Sequence, residues 1–205
     1  MATKNENNNS SANKTSETNK TTKSNTKVQT KTKSSSKSKM EDSSLHKFFI
    51  DALKDILFAE NAIVDALEKM QKAATTEELK DAFEDHQLQT KKHISRLEKV
   101  FKLLNQQPEK KECKAIVGII KEGEDIIKST EEGSMTRDVG LIIAAQKVEH
   151  YEIATYGGLV QLAITMGHDK AADLLEKTLL EEEDTDMLLT EIAETSINVN
   201  AEKED

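Results

Sequence analysis

The stretch Gln146-Lys147-Val148-Glu149-His150-Tyr151-Glu152-Ile153-Ala154-Thr155-Tyr156 decides how this chain is read. At 3.6 residues per turn, Ile142, Glu149, Ile153, Tyr156 and Val160 fall on one helical face, so Glu149 points where its apolar neighbours point. Glu152, three residues on, borders the same face. A helix built only to fill a core carries Leu or Ala at such places. Carboxylates withdrawn from water repel one another and usually need cations between them.

Working outward, the same pattern recurs in three other predicted helices. The first spans about Ser43 to Ala73, with a stripe of Leu45, Phe49, Leu53, Ile56, Glu60, Ile63, Leu67 and Met70. Thr75 or Thr76 caps the second, and Thr75-x-x-Glu78 has capping-box spacing. Its stripe carries Leu79, Phe83, His86, Thr90, His93, Leu97 and Val100, and it stops before Pro108. A shorter segment from about Cys113 to Ser129 follows. The fourth helix runs from about Met135 to Met166 with Gly167 as its stop. The fifth, about Asp169 to Ile197, aligns Leu175, Thr178, Glu182, Asp186 and Leu189.

Short loops make antiparallel hairpins of helices one and two and of helices four and five. The short third helix supplies a long crossover, the arrangement of a ferritin-like antiparallel four-helix bundle in an all-α chain. Antiparallel neighbours of equal length meet at their midpoints, near residues 58, 91, 150 and 183. Glu60, His93, Glu149 with Glu152, and Glu182 with Asp186 are therefore expected in one layer, with Gln89 adjacent.

Composition supports this fold. The chain has 205 residues with one Pro, seven Gly and no Trp, and is rich in helix formers. Its single cysteine, Cys113, excludes an intramolecular disulfide and a multi-cysteine zinc site. No run is long enough to cross a bilayer, and no apolar secretory signal begins the chain, so a cytoplasmic protein is expected. The net charge of −9 is divided unevenly. Nine Lys and two Glu give residues 1–40 a charge of +7, which leaves −16 for the rest. Residues 1–41 are expected to be a disordered Lys/Ser/Thr/Asn-rich tail, 42–198 the bundle, and 199–205 a disordered C-terminus. The tail reads first as a solvated arm. It has no Arg or aromatic residue, so any nucleic-acid contact would be weak and confined to phosphates.

Carboxylates and imidazoles suit iron or manganese, and bundle di-metal sites use inward carboxylates with one or two histidines. The expected metal ligands are Glu60, His93, Glu149, Glu152, Glu182 and Asp186. His86 and Gln89 stand in reserve, and Tyr156 is placed behind the ligands as a hydrogen-bond donor. The competing reading is a set of acids placed inward by register error in an acidic protein. It would win for Glu182 alone, which sits within Glu181-Glu182-Glu183, but not for four helices together. His150 lies off the stripe. Gly157-Gly158 inside a helix marks close packing, within the chain or in a dimer.

The blocks Phe58-Ala-Glu60-Asn-Ala-Ile63, Ala82-Phe83-Glu-Asp-His86, Gln146-Lys-Val-Glu149-His150-Tyr151-Glu152 and Glu181-Glu182…Thr185-Asp186 resemble those of the YciE/YciF-like bacterial stress proteins, within the ferritin superfamily. The resemblance covers about residues 43–197. It implies a ferritin-like core, a homodimer, and kinship to rubrerythrins and manganese catalases. Glu149-x-x-Glu152 resembles the paired glutamates of the rubrerythrin metal helix, and Glu60 the single glutamate of the first ferritin helix. The chain departs from the diiron pattern because no histidine follows a Glu by three residues, and Gln89 stands where relatives carry an acid. One metal position or two remains open. So do three functions: a redox or peroxide enzyme, a metal-buffering or structural stress protein, and a nucleic-acid-associated relative.

Overall fold

A computed structural model of the protein describes residues 43–204, and among these all regular structure is helical. The expectation of a disordered tail lies outside the described residues. Helices α1 (Ser44–Ala73), α2 (Glu77–Leu103), α3 (Lys114–Ser129), α4 (Met135–Thr165) and α5 (Asp169–Ile192) follow in order. A π-helical turn, Ala193–Ile197, joins α5 to a last short helix, α6 (Asn198–Ala201). The expected ends hold within a few residues because local signals fix them. Ser43 caps α1 through His46 N, Thr76 rather than Thr75 caps α2, and Ser134 caps α4. Gly167, at φ +70°, ends α4 in the left-handed conformation that an L side chain resists.

Four long helices form a ferritin-like bundle. Contacts show that every neighbouring pair is antiparallel. In α1 and α2, Gln71 bonds Glu84 while Val64 receives Gln87. In α1 and α4, Tyr156 reaches Glu60 while the carboxylate of Asp138 sits just past the end of α1. In α2 and α5, Arg96 meets Thr178 while His86 meets Thr185. The crossover after α2 runs back along α1, where Lys54 pairs with Glu109 at 2.7 Å and Asn61 accepts from Lys110 at 2.7 Å. Helix α3 then packs on α4 and α1 and returns the chain to the end where α1 stops.

The core consists of the predicted stripes. Phe49, Leu53, Ile56, Phe83, Val100, Phe101 and Tyr156 are fully buried, each apolar side chain worth about 1.5–3 kcal/mol. Gly157 and Gly158 face open space within this chain. The close approach is instead at Gly140, where a Cβ would lie 2.6 Å from Ile126 Cγ2 of α3. The C-terminus also differs from expectation, since residues 198–201 are helical. Glu204 accepts from Met135 N at 2.7 Å and Thr136 N at 3.1 Å, an acid on the positive end of α4.

The junction of the two hairpins is held by one side chain. Asp138 is fully buried and accepts from Thr75 N at 2.7 Å, Thr76 N at 2.9 Å and Thr76 Oγ1 at 2.8 Å. Asp138→Ala leaves these donors without their acceptor. It should cost about 2–3 kcal/mol in chemical denaturation; a loss below about 0.5 kcal/mol would show that the loop does not depend on it.

Candidate metal centre

Midway along the bundle, α1 contributes Glu60, α2 His86 and His93, α4 Glu149 and Glu152, and α5 Glu182. All six are at most 4 % exposed. They form two overlapping groups, in each of which one ligand atom per residue lies within 4.8 Å of the others. His86, Glu149, Glu152 and Glu182 make one group; Glu60, His93 and Glu182 make the other. Glu182 belongs to both.

The two histidines are seven residues apart, about 10 Å along the helix axis. That spacing is too long for one ion and suits two groups that share a residue. Each ring turns one nitrogen inward. His93 Nδ1 lies 2.8 Å from Glu182 Oε1 and 3.7 Å from Glu60 Oε2, and His86 Nε2 lies 3.3 Å from Glu149 Oε1. These approaches are close, yet none has hydrogen-bond geometry, and both inward nitrogens are left unsatisfied. So are Glu60 Oε2, Glu149 Oε2 and both oxygens of Glu152 and of Glu182. Buried polar atoms are seldom left without partners. Six residues that do so around one volume are a set of donors that could hold a metal ion.

The outward nitrogens are anchored. His93 Nε2 is 2.9 Å from Glu181 Oε2, and Arg96 grips both oxygens of Glu181 at 2.9 and 3.1 Å. Arg96 also donates to Thr178 Oγ1 at 2.6 Å. His86 Nδ1 lies 3.4 Å from Thr185 Oγ1. Holding one ring nitrogen fixes the tautomer and aims the other, as around metal-ligating histidines generally. Behind the other carboxylate, the Tyr156 hydroxyl donates to Glu60 Oε1.

Charge accounts for the titration. Four carboxylates and two neutral imidazoles amount to −4, which two divalent cations would balance. Without them, protons take that role. Burial pushes Glu182 up to about 7 despite the counteracting His93. Burial, followed by the charges of Glu182, Glu60 and Glu149, holds Glu152 well above the carboxylate range. Burial opposes charging of His93, but Glu182 and Glu60 outweigh it and raise the ring to about 10. Glu181 goes the other way: burial alone would raise it, and Arg96 and His93 bring it below its ordinary value.

The layer therefore gathers Glu60, His93, Glu149, Glu152 and Glu182 as the stripes predict, with Tyr156 behind Glu60. His86, held in reserve by the sequence reading, joins them. Gln89 is half-buried and lines a cavity beside His86 and Glu149. Asp186 is not brought in. Its carboxylate accepts from Gln146 Nε2 at 3.2 Å and faces the exposed His150 at 3.3 Å. Four residues beyond Glu182 is 400° of helix, which turns Asp186 about 40° toward the rim shared with α4. Sequence reasoning missed Glu181 and Arg96. An arginine three residues after His93 shares its side of α2 and was the available signal.

The sequence and structural comparisons agree on the family. Residues 44–202 match the family model described as a domain of unknown function, DUF892. The chain is 42% identical over 164 residues to Protein YciF of Escherichia coli K12, covering 80% of this chain and 98% of YciF. The crystal structure of that E. coli stress protein superposes with a TM-score of 0.72, covering 76% of this chain and 98% of YciF. YcfI from Rhodopseudomonas palustris, described as a candidate structural protein, superposes at 0.70 with 36% identity, covering 72% of this chain and 94% of that one. XCC3681 from Xanthomonas campestris, at 22% identity, shares the fold with a TM-score of 0.63, over 78% of this chain and 98% of its own. With most of its length matched at this identity and its bundle superposed, the chain belongs to the DUF892 family of YciF-like stress proteins.

Proposed function

We propose that the protein is a ferritin-like stress protein whose bundle core holds a dinuclear iron or manganese centre. The observation that carries this reading is the pair of donor groups joined at Glu182, with buried ligand atoms that lack a hydrogen-bond partner on all six residues. Glu60 and His93 would hold one ion, His86, Glu149 and Glu152 the other, and Glu182 would serve both. Bound iron or manganese would supply changes of valence and a Lewis-acidic position for peroxide or dioxygen. The protein's part is to exclude bulk water, to keep the rings in one tautomer through Glu181 and Thr185, and to leave Glu152 free of hydrogen bonds so that it can change partners. Tyr156 keeps its proton, because burial and then the charges of Glu60 and Glu152 drive its pKa up. It remains a donor to Glu60 throughout.

Anaerobic reconstitution with Fe(II) or Mn(II), desalting and elemental analysis test the proposal. About two ions per chain are expected, as a dinuclear site requires; stoichiometric failure to retain either metal would refute it. Peroxide turnover by the loaded protein separates redox chemistry from metal buffering. Cation binding must displace the protons on Glu182, Glu152 and His93. Apparent affinity should therefore rise with pH and fall steeply below about 7, where Glu182 protonates. A flat affinity between pH 6 and 8 in competition titrations would contradict these assignments.

A homodimer is part of the proposal, resting on the resemblance to dimeric relatives and on the free space at Gly157 and Gly158 of α4. Light scattering at micromolar concentration should give twice the chain mass of 22.9 kDa. A strictly monomeric mass would exclude it. Among the described residues, no helix is long and apolar enough to cross a membrane.

A further inference from the structure

Two of the cavities among the described residues lie against the bundle core. One, between α1, α3 and α4, has mainly apolar walls including Met70, Ile120 and Ala144, and measures about 20 Å³. The other measures about 50 Å³ and opens between α2 and α5. His86 and Glu149 form part of its wall, along with Asp85, Gln89, Thr185 and Leu188. Asp85 and Leu188 are exposed, so the cavity reaches from the surface to the donor layer. At that layer, His86 Nε2 and Glu149 Oε2 are buried without hydrogen-bond partners.

The opposite end of the layer is closed. His93 is 0 % exposed, its outer nitrogen is covered by Glu181, and Glu181 is clasped by the buried Arg96. The two halves of the centre therefore differ in access although they share Glu182.

Resting on the metal-centre reading above, we propose that this cavity is the binding site for an exogenous ligand of two or three heavy atoms, of the peroxide class, and that it serves only the His86–Glu149 half. Size sets the class. A water needs about 10–15 Å³ of such space, so the cavity takes about three to five waters or one small molecule of that kind. Larger organic substrates are excluded. Polar walls at Gln89, Thr185 and Asp85 suit a hydrogen-bonding ligand, while Leu67, Phe83 and Leu189 keep the rest of the space apolar.

Azide, with three heavy atoms, is the probe. The full-length protein is loaded with iron and oxidised in air, its iron content measured, and azide titrated by the charge-transfer absorption that an azide–iron(III) contact produces. Leu188→Trp and Ala82→Leu each fill the cavity from a different helix, and Leu180→Trp is an exposed control on α5 outside it. Both fillers should raise the azide Kd at least tenfold with iron content unchanged, and the control should match the unsubstituted protein. Azide binding unaltered in a folded filler that retains its iron overturns the cavity assignment alone. So does an iron-loaded unsubstituted protein that gives no azide band. An unsubstituted protein that takes up no iron overturns the metal-centre reading, and the cavity assignment with it.

Discussion

Glu182→Gln is expected to empty the centre of both ions, whereas Glu60→Gln should leave the other position filled. Glu182 is the one residue common to the two donor groups, and its two carboxylate oxygens are buried without hydrogen-bond partners. Glutamine preserves size but removes the charge and one of the two oxygens, so it cannot serve two cations. The four-carboxylate charge that two divalent ions would balance also falls by one. Metal content should drop from about two per chain to near zero. The thermal stabilisation conferred by metal should vanish with it, about 4 kcal/mol at a free concentration one thousand times Kd. If Glu182→Gln retains one tightly held ion, the residue is a ligand to one position only, and the shared arrangement is wrong.

Glu152→Leu should act in opposite senses on the metal-free and metal-loaded protein. Metal-free, Glu152 is 1 % exposed, neither of its oxygens has a partner, and burial raises its pKa well above the ordinary range. A leucine of similar volume removes that penalty, and an unsatisfied buried polar group costs about 1–3 kcal/mol. At about 2–4 °C per kcal/mol for a chain of this size, the metal-free melting point should rise by several degrees. Iron or manganese should stabilise the variant less than the unsubstituted protein.

The pH profile carries the same sign. Burial raises the pKa of Glu182 from its ordinary value of 4.5 to about 7 when folded. A raised folded pKa contributes stability that is fully present below the unfolded value and is lost as pH rises through the folded one. The metal-free protein should thus lose stability from about pH 4.5 to 7, while saturating metal reverses the slope. A metal-free Glu152→Leu variant that melts lower than the unsubstituted protein would show that the buried carboxylate is not an uncompensated burden.

The fold was legible because it depends on periodicity. Heptad-like stripes in α1, α2, α4 and α5, with Gly167 and the Ser and Thr caps, fix helix ends without tertiary information. The donor layer was legible at Glu60, His93, Glu149, Glu152 and Glu182 because antiparallel helices joined by short loops bring their middles together. Rotation about each helix was harder to read. A spacing of four residues made Asp186 look equivalent to Glu182, but the 40° between them carries it to Gln146 and His150. His86 lies two turns from His93 along α2, off the level of Glu60 and Glu182, and only the inward rotation of Glu149 and Glu152 on α4 brings donors to it. Arg96 and Glu181 come from different helices, and their pairing depends on the packing of α2 against α5, which no single stripe encodes. The tail carries no such periodicity; its nine Lys and two Glu give charge without a stripe.

Anomalous diffraction at the iron edge, from crystals of anaerobically reconstituted protein, tests the central claim most directly. The account predicts two peaks in the mid-bundle layer, one against His86, Glu149 and Glu152 and one against Glu60 and His93, with Glu182 contacting both. Iron on the rim at Asp186 and His150, or no peak between the four helices, would contradict it.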